Sequence, residues 1–397
     1  MGALDVSVLM AASRAGGAGA LSSVTELAPA GGEQALVAPA KYAASNGGST
    51  YVFETRELDG GPVATVLLDS RSSGANRLEN GISQGIREGN PILRAMPRVV
   101  LTYKGAAGAH DIVESDLDLP HRIFDGHIRM GSGPDGKSIV ENPAYVAARN
   151  ATLDDMSALF DLSPITCLLG GWDSTRKSHQ VRLAASVTGE IIGVLSDQTT
   201  DPAKLVTRRS GARVDPVSAG FYFDPKTAAD LAARSGTTFG KAGAKGAKVS
   251  GSKLVIGSIP PGVESLDGIS VSRIIRTRVL SFATLRTMCF GAGAEGDAAI
   301  RALLAALAID GMVRADSELV LRANAHLVEK AAPKTLLHGR YGKTEEIDPM
   351  TVTQADELLA AAYDNAHELA GVDWHGQTLE VTGDQRVIDA IDNTSAE

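Results

Sequence analysis

The chain has 397 residues, a formal net charge of −9, 44% hydrophobic and 21% charged residues. That profile belongs to a globular protein with a sizeable core, and the length allows two or three domains. Two cysteines, Cys167 and Cys289, form no Cys-x-x-Cys, which excludes a disulfide framework or a cysteine–zinc cluster and fits a reducing compartment. No apolar run reaches the length of a membrane span and the first twenty residues lack a signal-peptide pattern, so cytoplasmic residence is expected.

In chain order, the first ~45 residues are rich in Ala and Gly with weak periodicity. Thr50–Thr55 and Pro62–Leu68 are β-type runs around Asp59-Gly60-Gly61, which predicts a hairpin. Asn76–Arg87 reads as a short helix and Arg98–Tyr103 as a strand. Leu153–Phe160 reads as a helix capped by Thr152 or Asp154. Ile165–Gly170 and Ala184–Val194 read as strands, the second with a possible helical start. Val249–Ile256 and Ile269–Thr277 are further strands. Ala298–Ile309 is the clearest helix, with Arg301 facing outward. Glu318–Arg322 reads as a strand, Ala355–Leu369 as a helix and Thr378–Val381 as a closing strand. Loose alternation with antiparallel hairpins favours an α+β fold over a doubly wound parallel sheet.

Charge is uneven. Thr166–Phe290 holds 17 Lys+Arg against 9 Asp+Glu, a net +8, while the stretch after Gly342 holds 2 against 13, a net −11. One face for an anion and another for solvent or protein follows from that asymmetry. Gly236–Gly251 carries Lys241, Lys245 and Lys248 among glycines and alanines, followed by Lys253. It reads as a basic arm that orders on a phosphate backbone, or as a plain surface loop.

Several motif matches carry little. Gly131/Gly133/Gly136 and Gly291/Gly293/Gly296 fit Gly-x-Gly-x-x-Gly in a chain with 43 glycines. Gly81-Ile82-Ser83-Gln84-Gly85 fits Gly-x-Ser-x-Gly but follows a polar, helix-like segment rather than the buried strand a nucleophile elbow needs. His121 and His127 are six apart, which suits no common metal-ligand spacing. No metal and no cofactor is expected. Arg276 and Arg278 share one face of a strand, with Arg273 on the other.

Four blocks remain: Ala75–Glu79 (A-N-R-L-E), Pro120–Arg122 (P-H-R), Gly170 with Trp172–Thr175 (G-x-W-D-S-T) and Val279–Arg286 (V-L-S-F-A-T-L-R). Their order and spacing, over about Val66–Gly291, resemble the Cas-seven-type backbone subunit of type I-G (formerly I-U) CRISPR effector complexes. The resemblance implies a RAMP-superfamily protein. Its palm would be a modified RNA-recognition-motif (ferredoxin-like) sheet with finger and thumb insertions. The subunit would line up in copies along CRISPR RNA and do no chemistry. Its partners would be CRISPR RNA, target DNA, neighbouring copies and other Cascade subunits, with no membrane. The aromatic residues on the sheet of a standard RNA-recognition motif are not recognisable here.

The expected organisation is one palm over 1–397 with candidate insertions at 104–150 and 198–262 and an acidic helical segment at 343–397. The RNA-facing set is Arg71, Asn76, Arg77, Arg122, Trp172, Ser174, Thr175, Arg176, Lys177 and Arg182, with Lys241, Lys245, Lys248 and Lys253 as a second, mobile set. Trp172 is expected to pack under the backbone at least as readily as to stack on a base, and Asp173 to orient the turn or an arginine. Two alternatives stand beside this reading. One is a RAMP-type subunit that cleaves target RNA through Asp125 or Asp135. The other is a nucleotide-binding oxidoreductase using Gly291–Gly296.

Overall fold

The computed structural model describes residues 2–43, 49–105, 110–176, 181–211, 222–235, 249–250, 262–321 and 325–394. The chain is α+β and divides into two compact units: Met1–Leu205 with Ile269–Gly383, and Val206–Gly268 with Asp384–Glu397.

The first unit is organised by an eight-stranded antiparallel sheet. Its strands are β1 (Ala20–Pro29), β2 (Phe53–Leu58), β3 (Gly61–Asp69), β4 (Val187–Leu195), β5 (Val271–Ser281), β6 (Leu327–Glu329), β7 (Lys334–His338) and β8 (Thr344–Ile347). The order is β8-β7-β1-β5-β4-β3-β2, with β6 also pairing β1. Its main helices are α1 (Val6–Ser13), α2 (Arg71–Glu88), α3 (Gly293–Ser317) and α4 (Val352–Ala370). Taken in sequence, β1, α2, β4, β5, α3 and β7 trace β-α-β-β-α-β, and their sheet order β7-β1-β5-β4 is that of a split βαβ motif. The β2–β3 hairpin extends the sheet beyond β4. It turns at Asp59 (φ 53°) and Gly60 (φ 87°), the left-handed pair that a two-residue hairpin needs.

Glycines set the helix packing. A Cβ on Gly74 would sit 2.6 Å from the Gly189 carbonyl oxygen on β4, and one on Gly81 would sit 2.8 Å from the Gly311 carbonyl oxygen on α3. The Gly81–Gly85 pair thus lies inside α2 as a close-approach surface, with no strand-to-helix elbow around its serine.

α3 is buried on all sides from Gly296 to Met312. For that reason Arg301 does not face outward as expected: it is 8% exposed, and its Nε donates to the Met288 carbonyl at 2.9 Å. Near the other end, buried Arg314 bridges Asp310 (3.1 Å), Glu88 (2.7 Å) and Asp356 (2.5 Å), tying α3 to α2 and α4. Arg276 and Arg278 share one face, since both reach Asp316 on α3, at 3.3 and 2.9 Å; Arg273 instead meets Asp59 at 3.0 Å.

A second sheet has Arg98–Tyr103 in its centre, parallel to Thr378–Thr382 and antiparallel to Ile112–Ser115. Chain neighbours β4 and β5 are joined through residues 197–269, and the Ser196 and Ser270 hydroxyls lie 2.9 Å apart at the exit and return. In the second unit, Thr207–Gly211 pairs with Gly262–Gly268 and Tyr222–Phe223 with Val249–Ser250, beside a helix at Pro225–Ser235. Of the expected Val249–Ile256 strand, only Val249–Ser250 falls within the described residues.

Three expected elements differ. Ile165–Gly170 is not a strand: Pro164–Leu169 is a helix, with Ser163 accepting from the Thr166 amide and Pro164 at the first position, where no N–H is needed. The helix expected at Leu153–Phe160 spans only Ser157–Phe160, because Thr152 and Asp155 close a tight turn before it. Neither Thr152 nor Asp154 caps it; Asp155 accepts from the Ser157 amide. Glu318–Leu321, expected to begin a strand, forms none.

Candidate nucleic-acid interface

The helix Pro164–Leu169 ends at Gly170, whose φ of 78° is left-handed and whose Cβ would lie 2.5 Å from the Leu183 carbonyl oxygen. A Cβ on Gly171 would meet the Phe124 ring at 2.9 Å. Two glycines are therefore required here for the chain to leave the helix and run between Leu183 and Phe124. It continues as a short antiparallel pair, with Gly171 opposite Leu183 and Trp172 opposite Arg182.

Trp172 does not pack in the core; it is 51% exposed, and the Arg182 guanidinium sits over its ring at 4.6 Å from the centroid. Such a contact at an exposed site is worth about 0.5–1 kcal/mol. The tryptophan that does pack is Trp374, 5% exposed beside Phe160 and Tyr363. The side chain that closes the Trp172 turn is Asp173, fully buried, which pairs with Arg149 at 2.6 Å and accepts from the Thr175 hydroxyl at 2.7 Å. Burial pushes its pKa up, but the Thr175 and Arg149 hydrogen bonds outweigh burial and hold it below the usual carboxylate value. Arg176 donates to the Arg149 carbonyl at 2.6 Å, and Ser174 and Thr175 are exposed. Three arginines of different elements thus serve this turn: Arg182 on the short strand pair, Arg176 just past it, and Arg149 from the helix Pro143–Arg149. Arg149 was not among the expected residues. Asn142-Pro143 opens the helix that carries it, with Asn142 accepting from the Ala144 and Tyr145 amides, and that cap was the available signal.

Arg122 joins three of the sequence blocks. Its Nε donates to Glu79 at 2.7 Å and its Nη1 to the Gly170 carbonyl at 3.0 Å. Ala75–Glu79, Pro120–Arg122 and Gly170–Thr175 therefore meet at one guanidinium. Its backbone is left-handed (φ 50°), a conformation that a non-glycine residue keeps only where its surroundings over-determine it. Glu79 is 4% exposed; burial raises its pKa to about 7, with Arg122 opposing the shift.

The other expected residues fall elsewhere. Arg77 is held by Asp69 through two bonds, at 2.9 and 2.8 Å, and also donates to Ser73 and to the Val320 carbonyl. Arg71 is 71% exposed at the start of α2, 3.6 Å from Glu190, and Asn76 is exposed. Lys177, Lys241, Lys245, Lys248 and Lys253 lie outside the described residues. Of the residues in the alternative readings, Asp125 is 3% exposed and spent on capping, accepting from the His121 and His127 amides, while Asp135 is exposed in a turn. Gly291 and Gly293 are left-handed residues that lead into α3; the preceding element is the helix Phe282–Leu285, and the main sheet is antiparallel, so no parallel βαβ unit surrounds them.

The sheet face opposite α2 and α3 presents Ser22, Val24, Thr188, Thr277, Val279 and Leu336. Among the described residues, no Phe, Tyr or Trp points from that face. Among the described residues, no group of three His, Cys, Asp or Glu side chains is placed to hold a metal ion, and no helix is long and apolar enough to cross a membrane.

No curated protein matches the chain. Residues 21–197, which run from β1 past β4 and contain Glu79, Arg122 and the Gly170–Arg182 turn, match the model of a CRISPR-associated family, described as CRISPR-associated protein GSU0053.

Proposed function

We propose that this chain is a non-catalytic backbone subunit of a type I-G Cascade surveillance complex, repeated along a CRISPR RNA that it presents to target DNA. The observation that carries this reading is the meeting of three family-like sequence blocks at Arg122, next to the three guanidiniums of the Trp172 turn. The β-α-β-β-α-β order suits a palm. A sheet face without aromatic residues favours contacts to phosphate and sugar over base stacking. Arg176 and Arg182 then position the RNA backbone without reading its sequence. Neighbouring copies and other Cascade subunits meet the remaining surface in the cytoplasm, and the complex serves antiviral defence.

The test is purification from a host that carries a CRISPR array. The expected product is a multi-subunit particle holding RNA of discrete length, with no cleavage of RNA in any divalent metal. Affinity should fall steeply and log-linearly with salt. An RNA-free monomer that fails to bind RNA at low salt would sink the proposal.

A further inference from the structure

A cavity of about 330 Å³ lies in the first unit between the sheet and the C-terminal half of α3. Most of its wall is apolar, from Leu21, Ile309, Met312, Val313, Ile347 and Met350. Arg276 also lines it and is 1% exposed. One nitrogen of that guanidinium, Nη2, serves Thr25 (3.2 Å), Asp316 (3.3 Å) and Glu329 (2.5 Å). The other two donors, Nε and Nη1, have no hydrogen-bond partner. A buried donor left unpartnered carries its full desolvation cost, so a native protein rarely leaves two on one side chain without a use.

We propose that this cavity binds a small neutral molecule with an apolar body and a carbonyl acceptor, which takes the free Arg276 donors. The charge on the wall sets the class. Arg276 and Arg278 are matched by Asp316 and Glu329, and Asp348 adds a carboxylate. An anion would meet an unmatched carboxylate. An amine brings donors where acceptors are wanted. An amide or ester carbonyl satisfies the guanidinium and adds no charge. Glu329, with its side chain 43% exposed, is the group able to swing outward and let Arg276 turn to the ligand. The site is separate from the Trp172 turn and does not depend on the RNA reading.

The probe is hexanamide, titrated into the full chain carrying ¹³C-methyl methionine, with hexanoate and hexylamine as controls. Two of the eight methionines, Met312 and Met350, line the cavity and report on it, assigned through Met312→Leu and Met350→Leu. Hexanamide is expected to shift those two signals saturably and to bind about tenfold more tightly than either control. Val313→Trp, from the partly exposed side of α3, and Thr335→Trp, from the sheet, should each weaken binding by about tenfold or more while the remaining methionine signals keep their folded positions. No saturable shift with hexanamide, equal binding of the charged controls, or unchanged affinity in both folded tryptophan variants would each overturn the proposal.

Discussion

Arginines do two different jobs in two regions of this molecule. Under the sheet and between the helices, Arg276, Arg278, Arg301 and Arg314 are at most 8% exposed and are tied to carboxylates or carbonyls of neighbouring elements. At the Trp172 turn, Arg182 is exposed and lies over a half-exposed ring. Arg122 stands between the two kinds, with a buried carboxylate on one side and the turn's Gly170 carbonyl on the other. A basic stretch in a sequence thus counts buried structural cations and exposed ones together, and only the fold separates them. The net +8 of Thr166–Phe290 includes Arg276 and Arg278, which no nucleic acid can reach without unfolding the sheet.

The contrast predicts a ladder of effects. Arg314→Ala should be the most damaging, destabilising the fold by about 3–5 kcal/mol in denaturant unfolding, because it strands buried Asp310. A loss under 1 kcal/mol would show that the buried network is slack. Arg122→Ala should cost about 1–3 kcal/mol and weaken RNA binding as well, since Glu79 is left unpaired and the Gly170 turn loses its tie. An effect on only one of the two would separate the regions that Arg122 is argued to couple.

Buried carboxylates supply a pH test. Burial raises Asp116, which is 0% exposed, to about 7, against the hydrogen bonds it accepts from Ser163 and the Val99 amide. A carboxyl with a raised folded pKa binds more protons when folded than unfolded, so its contribution to stability falls as pH rises from about 4 to about 7. Glu79 and Asp310, both raised to about 7, act in the same direction. Asp116→Asn, which mimics the protonated form, should therefore stabilise relative to the parent at pH 8 by about 1–3 kcal/mol and much less at pH 5. Equal differences at the two pH values would remove the titration from the account. Smallest on stability is Arg182→Ala: unfolding should shift by under about 1 kcal/mol, while the salt slope of RNA binding falls by about one contact. If stability drops and the slope holds, the Trp172 turn belongs with the buried arginines.

Much of the scaffold was legible in the sequence because its signals were local. The Asp59-Gly60 turn, the Arg98–Tyr103 strand and the α3 and α4 helices each carry their own turn chemistry or period. β1 was missed because its two faces read alike: Ser23 and Thr25 point to the helices, Ser22 and Glu26 away, so alternation gives no contrast although the strand is central. Ile165–Gly170 was misread because a short apolar run fits a buried strand or helix equally, and the Ser163-Pro164 start was the deciding clue. At the site, Asp173 was legible as a group that orients the turn and an arginine. Arg149 was not, because it reaches the turn from 24 residues away through Asp173.

The short gap between Ser196 and Ser270 has its own consequence. The chain leaves the sheet and rejoins it at two adjacent points, much as a branch is grafted onto a stem, and Gln198 just past the exit bonds the Ala64 amide and carbonyl on β3. The cost of loop closure grows only slowly with length, so lineages could lengthen, shorten or exchange this graft with little effect on the sheet's own strand pairing. Any new property carried there would arrive without renegotiating the core.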